Sequence, residues 1–96
     1  MHVGVLRLTL HLPENHSLKE KRRIVKSILE RVHQRFNVAA AEVDEHDHWQ
    51  VARLGICCIS TEAKHADQIM ARVLAFIQED SRGLPLTDYE TETVPF

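Results

Sequence analysis

Several features are scarce in this sequence, and each scarcity argues against a class of protein. No apolar run approaches the roughly 20 residues that cross a bilayer, so no membrane-spanning segment is predicted. The three glycines are isolated, which argues against a glycine-rich phosphate-binding loop. The start, Met1 to Val5, has no basic flank ahead of a long apolar stretch, so we expect no signal peptide and a cytoplasmic location.

Cysteine is also scarce, and the only two, Cys57 and Cys58, are adjacent. Neighbouring residues of a strand point to opposite faces, so these thiols are poorly placed to bond each other or to share a metal. Isolated thiols suit a reducing compartment, and a free cysteine usually behaves as a small hydrophobic residue. We therefore predict that they fill space rather than perform redox chemistry.

The composition, 44% hydrophobic and 27% charged, is typical of one globular domain over residues 1–96. Two-residue and 3.6-residue periodicities predict strands at 3–12, 38–44, 49–60 and 86–94 and helices at 18–36 and 62–80. Ser17 is the predicted start of the first helix, Asn37 its end, and Ser60 or Thr61 the cap of the second. The order β-α-β-β-α-β predicts an α+β, ferredoxin-like fold. Its antiparallel four-stranded sheet has central first and third strands and both helices on one face.

Alternation along the strands predicts which side chains the helices cover. Four leucines of the first strand should point inward, and so should four residues of the last strand, whose acids would be costly to bury. The inward residues are Leu6, Leu8, Leu10 and Leu12, then Thr87, Tyr89, Thr91 and Thr93. The central strands offer no aromatic side chain on the opposite face, so base stacking on the sheet is not expected.

The helix-free face has an apolar patch that a monomer rarely leaves exposed, and this predicts a homodimer. The predicted interface consists of Val3, Val5, Arg7, Arg53, Cys57 and Ile59. Arg7 or Arg53 would meet Glu90 or Glu92 of the partner subunit. The alternative is a partly covered face with scattered apolar residues.

Positive charge is concentrated in the first helix. Residues 17–35 carry a net charge of +5 in a chain whose net charge is −2. Lys19, Arg22, Arg23 and Lys26 fall within an arc of about 100° on the helical wheel. This basic arc occupies the first two turns, where the helix dipole favours an anion such as phosphate. The alternative is a solvated helix face. Lys21 lies within the apolar stripe, and its role, whether snorkelling or directed at an acid or a partner, stays open.

The segment Asp44 to Trp49 is a weaker candidate site. His46, Asp47 and His48 are metal-binding residue types, but a solvated turn is the preferred interpretation because no further ligand pair is implied. Trp49 is expected to cap the end of the sheet rather than stack on a ligand. No catalytic constellation follows from the spacing of Ser, His, Cys or Asp residues, so we predict no enzyme, no metal and no cofactor.

Several motifs together give the chain a family resemblance. They are Gly4-Val5-Leu6, Ser17-Leu18-Lys19-Glu20-Lys21-Arg22-Arg23, Arg35-Phe36-Asn37-Val38, Ala41-Glu42-Val43, Asp47 with Trp49-Gln50, Leu54-Gly55, His65-Ala66-Asp67 and Asp88-Tyr89-Glu90. In these the chain resembles the YlxP-like family, a small bacterial domain of unknown function. It departs from the family at Thr91 and Thr93, positions more often aliphatic.

The resemblance implies a ferredoxin-like fold and no catalytic activity or ligand. It also implies a gene often located beside those for transcription elongation, translation initiation and ribosome maturation factors. We therefore expect an accessory factor that binds structured RNA or a ribosomal subunit through the basic arc. The alternative is a protein-interaction module in which the arc, or the 44–50 hairpin with Trp49, docks on an acidic protein. A small-molecule or metal-binding enzyme centred on His46, Asp47 and His48 is the third hypothesis.

Overall fold

The computed structural model describes residues 1–81 and 83–96, and it contains the six predicted elements in the predicted order. The strands are β1 (His2–His11), β2 (Ala39–Asp44), β3 (Val51–Ser60) and β4 (Leu86–Pro95), and the helices are α1 (Leu18–Arg35) and α2 (Ala63–Asp80). Most predicted boundaries lie within two residues of these. The ferredoxin-like α+β prediction is confirmed.

The sheet is antiparallel throughout, with strand order β2-β3-β1-β4. β1 and β3 are therefore central, as predicted, and the alanine-rich β2 and the acidic β4 are the edges. α1 packs along β2, whereas α2 packs over β1, β3 and β4, and the two helices touch each other. This arrangement leaves the opposite face of the sheet without a helix.

The core lies between the helices and one face of the sheet. All four inward leucines of β1 and its end are at most 2% exposed, which confirms their predicted orientation. Valine, isoleucine, alanine and methionine side chains from the helix stripes cover them. They are Val25, Ile28 and Val32 from α1, and Ala66, Met70, Val73 and Ile77 from α2. Neither of the two described helices is long and apolar enough to cross a membrane.

Cys57 and Cys58 lie on opposite faces of β3, as the strand alternation predicted. The Cys58 thiol is buried beneath α2 and donates to the Ala66 carbonyl oxygen at 3.9 Å. Burial raises the pKa of Cys58, so this thiol stays neutral and packs as a small apolar group.

Gly4 sets how closely α2 approaches β1. A methyl group at this position would lie 3.0 Å from Cys58 Sγ and 3.1 Å from both the Ala66 carbonyl oxygen and Met70 Cγ. The carbonyl belongs to the helix backbone and cannot rotate away as a side chain can. Because Gly4 has no side chain, α2 can pack this closely against β1.

Gly4→Ala should lower the free energy of unfolding by about 1–3 kcal/mol, because the added methyl group overpacks the α2–β1 contact. Urea unfolding followed by circular dichroism measures this change. A midpoint equal to that of the unmodified protein would show that α2 shifts at no cost, and would contradict the close-packing interpretation.

Both the predicted end of α1 and the predicted cap of α2 differ from the structure. α1 ends when Phe36 turns into extended backbone (φ −132°, ψ 142°), so Asn37 does not provide a left-handed stop. α2 has Glu62 as its N-cap residue, and the side chain of that residue does not cap the helix. Ser60 instead accepts a hydrogen bond from the Glu62 N–H at 3.1 Å, two residues before the cap position.

The register of β4 agrees with the prediction except at its start. Thr91 and Tyr89 pair with Leu6 and Leu8 on the helix side, although Tyr89 remains 55% exposed. A bulge between Thr9 and Leu10 then shifts the pairing by one residue. As a result Leu86, rather than the predicted Thr87, lies opposite Leu10 and packs against the core.

Candidate nucleic-acid interface

The first turn of α1 is fixed by side-chain caps. Ser17 Oγ accepts a hydrogen bond from the Glu20 N–H at 3.1 Å, which confirms the predicted cap. Glu20 also reaches back, as in a capping box, but its carboxylate accepts from the His16 N–H at 3.2 Å rather than from Ser17. The helix therefore begins at a defined residue, and this fixes the face of the helix on which each residue of the basic arc lies.

The structure brings the four residues of the basic arc together. Lys19, Arg22, Arg23 and Lys26 are all exposed, and they lie in the first half of α1 on the side away from the sheet. Their spacings of three and four residues make these cations neighbours on the surface of the helix. The arc is thus a compact group of four positive charges at the end of the helix where the dipole is positive.

Little negative charge balances this group. Within the described part of the chain, one ion pair involves the arc, between Lys26 Nζ and Glu30 Oε1 at 4.0 Å, and both side chains are largely exposed. Such exposed pairs contribute little, whereas each like-charge pair at helical spacing costs about 0.2–0.5 kcal/mol. A bound anion would therefore reduce the repulsion between the cations of the arc.

Arg31 lies on the same helix but belongs to a different environment. Its guanidinium Nε donates to Asp80 at 2.5 Å, and its Nη1 donates to Ser27 Oγ. Arg31 therefore ties α1 to the end of α2 and is not part of the arc.

Lys21, whose role the sequence left open, is a buried anchor. Its side chain is 1% exposed, and Nζ lies 2.8 Å from Glu42 Oε2 on β2. Nζ also donates to the carbonyl oxygens of Glu45 at 2.5 Å and His48 at 2.7 Å. The ammonium group therefore uses two of its three N–H donors in these hydrogen bonds, and Glu42 supplies the opposite charge beside it. Lys21 therefore points at an acid and fastens the β2–β3 turn to α1.

Asn15 makes a second connection between the same two regions. Its amide is buried, and Nδ2 donates to the carbonyl oxygen of Ser17 at 2.9 Å and to that of Trp49. Gln50 adds longer contacts at 3.4 Å to the carbonyl oxygens of Pro13 and Asn15. The loop before α1 and the β2–β3 turn therefore form one unit that supports the start of the basic arc.

The β2–β3 turn itself is tight, and part of it is exposed. The His48 N–H donates to the Glu45 carbonyl at 3.0 Å, and Glu45 adopts a positive φ of 60°. The Trp49 indole, predicted to cap the sheet, stays 49% exposed beside Asp47 and His48. Within the described residues, no three His, Cys, Asp or Glu side chains converge on a point where they could hold a metal ion.

The six residues predicted for a dimer interface all lie on the helix-free face, in adjacent positions of β1 and β3. Arg7 forms an ion pair with Glu90 of its own chain, its cross-strand neighbour on β4, and both side chains are more than half exposed. Cross-strand neighbours on one face are close enough for such a pair. The contact of Arg7 or Arg53 with Glu90 or Glu92 of a partner subunit stays a prediction.

Comparison with known protein families shows which family the chain belongs to. The model of the family described as "Protein of unknown function (DUF503)" matches residues 3–91. This chain belongs to the DUF503 family. A curated relative, "Uncharacterized protein YlxP" of Bacillus subtilis (strain 168), is 44% identical over 61 residues. That match covers 64% of this chain and 66%, just under two thirds, of the relative. The resemblance to the YlxP-like family is therefore confirmed.

Two solved structures are similar to this DUF503 protein, and the first of them supports the fold alone. A de novo designed protein, Foldit4, superposes with a TM-score of 0.54 at 20% identity, covering 99% of this chain and 97% of the design. A putative PII-like signaling protein from Thermus thermophilus gives a TM-score of 0.49 at 17% identity, covering 98% and 87% of the two chains. Likeness at this level carries no argument about function.

A shallow groove of about 330 Å³ runs beside the arc of this DUF503 protein. Ile24, Ile28 and Leu84 line it, with Arg23 among the polar residues around them. Sequence analysis did not predict the groove, because Leu84 reaches it from the connection between α2 and β4. Sequence analysis also missed Asn15, whose only signal was an amide side chain two residues before a helix cap.

Proposed function

We propose that this protein binds the phosphate backbone of structured RNA through Lys19, Arg22, Arg23 and Lys26, as an accessory factor of the ribosome. The observation that carries the proposal is the basic arc, four exposed cations three and four residues apart on one helix, with one exposed ion pair to them among the described residues. The rest of the chain is net negative, so the positive charge is local rather than general. Local positive charge at a helix start favours a phosphate-bearing partner.

The choice of RNA among polyanions, and of the ribosome among RNAs, rests on the gene neighbourhood that the family resemblance implies. The binding mode follows from the side chains. Lysine and arginine contacts to phosphate supply affinity and orientation but read no sequence. The central strands offer no aromatic stacking platform, so base recognition on the sheet does not contribute. The protein should therefore recognise the position of phosphates rather than a base sequence.

The first test is co-sedimentation with ribosomes and with separated subunits at two salt concentrations. If four phosphate contacts form, raising the salt from about 50 to about 200 mM should weaken binding by about 50- to 150-fold, because each contact releases counterions. Binding to one subunit at low salt and its loss at higher salt would support the proposal. Binding that is unchanged by salt, or no binding at low salt, would contradict it.

A second candidate function is docking on an acidic protein, and the groove beside Arg23 favours it. Apolar side chains flanked by a cation suit a peptide that carries both apolar and acidic residues. Nuclease treatment separates the two functions. RNA-dependent co-sedimentation disappears when the RNA is digested, whereas one stoichiometric protein partner would remain bound.

A further inference from the structure

The helix-free face of the sheet concentrates exposed apolar side chains. Among the described residues, eight large hydrophobic side chains are exposed, and four of them belong to this face. They are Ile59 at 68%, Val43 at 42%, and Val5 and Val94 at 37% each. A surface of this kind is unusual on a monomer unless something covers it. We propose that a second copy of this chain covers it, in a symmetric dimer whose two-fold axis runs along the strands.

Cross-strand pairing arranges this face in rows from β4 to β2. The first row is Val94, Val3 and Ile59; the second is Glu92, Val5, Cys57 and Ala39; the third is Glu90, Arg7, Gly55 and Ala41. Apolar and small side chains therefore occupy most of β1, β3 and β2, while carboxylates follow β4. Val43 lies over Gly55, where a methyl group would come within 2.7 Å of its Cγ1. The Val43 side chain therefore fills the space above Gly55 and adds apolar surface to the β3–β2 side.

The area of the face is near the lower limit for a specific dimer. Three strands of 10 residues and one of 6 give a planar area of roughly 570 Å², at about 3.3 Å per residue and about 4.8 Å between strands. Two such faces bury roughly 1,100 Å² before side-chain relief is counted, which is close to the ~1,200 Å² lower limit of standard specific interfaces.

Charge decides between the two symmetric stackings that keep the strands of both sheets aligned. A two-fold axis across the strands would place each β4 over the partner's β4, bringing the carboxylates of Asp88, Glu90 and Glu92 against their own copies. An axis along the strands places β4 over the partner's β2, where Ala39 and Ala41 carry no charge and Asp44 lies beside Arg53. Like charges across an interface are costly, so the second arrangement is favoured.

Light scattering coupled to gel filtration tests the dimer. The unmodified protein should show twice the chain mass of 11.1 kDa, and Ile59→Glu should show the single-chain mass. Ile59 is already exposed, so circular dichroism should confirm that this variant folds. Tyr89→Glu is the matched control, since Tyr89 is similarly exposed but on the helix side, and it should remain dimeric. A monomeric unmodified protein at a concentration on the order of 100 μM, as expected for a weak specific interface, or a dimeric Ile59→Glu variant, would overturn the proposal.

A charge pair at Ala41 tests the direction of the axis. In the proposed dimer, Ala41 lies over the acidic β4 of the partner. Ala41→Lys should therefore tighten the dimer and Ala41→Glu should weaken it, each by about fivefold, as expected for one rim ion pair. With the axis across the strands, the lysines of the two subunits would approach each other. Weakening by Ala41→Lys would overturn the proposed axis.

The dimer places the helices on its two outer surfaces, so its two basic arcs face in opposite directions. If the arcs bind RNA as proposed above, the dimer presents two separate phosphate-binding surfaces. This step of the inference rests on the proposed function. A charge-reversed arc should leave the dimer mass unchanged, because the arc and the sheet face lie on opposite sides. A dimer that fails to bind RNA would remove the proposed function alone, whereas a monomer that binds RNA would remove the dimer alone.

Discussion

Lys21→Met should lower the free energy of unfolding by about 3–5 kcal/mol, because it removes one partner of a buried ion pair. Methionine keeps most of the aliphatic stem, so little of the loss comes from packing. The Glu42 carboxylate, whose side chain is 13% exposed, then loses its cation. The carbonyls of Glu45 and His48 lose their ammonium donor. Thermal and urea unfolding measure the change, at about 4–8 °C of melting temperature per kcal/mol for a domain of this size.

Lys19→Met is the matched control for this prediction, since it makes the same substitution two residues away at an exposed position. It should change stability by less than about 0.5 kcal/mol. The double variant Lys21→Met/Glu42→Leu should be more stable than the sum of the two single effects predicts, because it removes the unpaired charge with its partner. Equal stabilities of the Lys21 and Lys19 variants would show that the buried ammonium anchors nothing.

The fluorescence of the single tryptophan, Trp49, can show whether Lys21 orders the β2–β3 turn. Trp49 directly follows His48, whose carbonyl Lys21 holds, and its own carbonyl is held by Asn15. If Lys21 fastens the turn, Trp49 fluorescence anisotropy should fall in Lys21→Met under conditions where the variant remains folded. An unchanged anisotropy would mean that Asn15 alone is sufficient to order the turn.

Charge reversal of the arc should abolish RNA binding without unfolding the protein. Lys19→Glu/Arg23→Glu/Lys26→Glu replaces three of the four cations by anions. We expect the affinity at low salt to fall by at least about 100-fold, and the salt slope to fall by about three contacts, to that of the one remaining cation, Arg22. Glutamates near the start of a helix interact favourably with its dipole, so the fold should survive. Filter binding across a salt series measures the affinity and its slope.

A pair of matched variants separates the arc from net charge. Arg22→Glu/Lys26→Glu in the arc and Lys64→Glu/Arg72→Glu on α2 change the net charge equally, and all four positions are exposed. Only the arc pair should reduce the salt slope. Equal losses from both pairs would show that binding depends on overall charge and would contradict the arc as the contact surface.

Local pattern alone was sufficient for much of this protein. The leucines of β1 alternate, the helix stripes repeat every 3.6 residues, and Ser17 caps α1, so the element order and the inward faces follow from neighbours in sequence. The basic arc follows for the same reason, since residues three and four apart on a helix share a face. These features depend only on periods that the backbone imposes.

Only the tertiary structure decided the partners of Lys21, the inward position of Leu86 and the Arg7–Glu90 ion pair, because each of these joins residues that are distant in sequence. Lys21 meets acceptors 24 and 27 residues away, so the wheel alone showed it as an anomaly within an apolar stripe. The bulge opposite Thr9 decided that Leu86 faces the core, and a bulge adds a residue that alternation cannot anticipate. Arg7 found Glu90 in its own chain because the register of β1 against β4 places them side by side. The periodicity of a strand states which face a side chain takes, but only strand pairing and the turns between elements decide which partner it meets there.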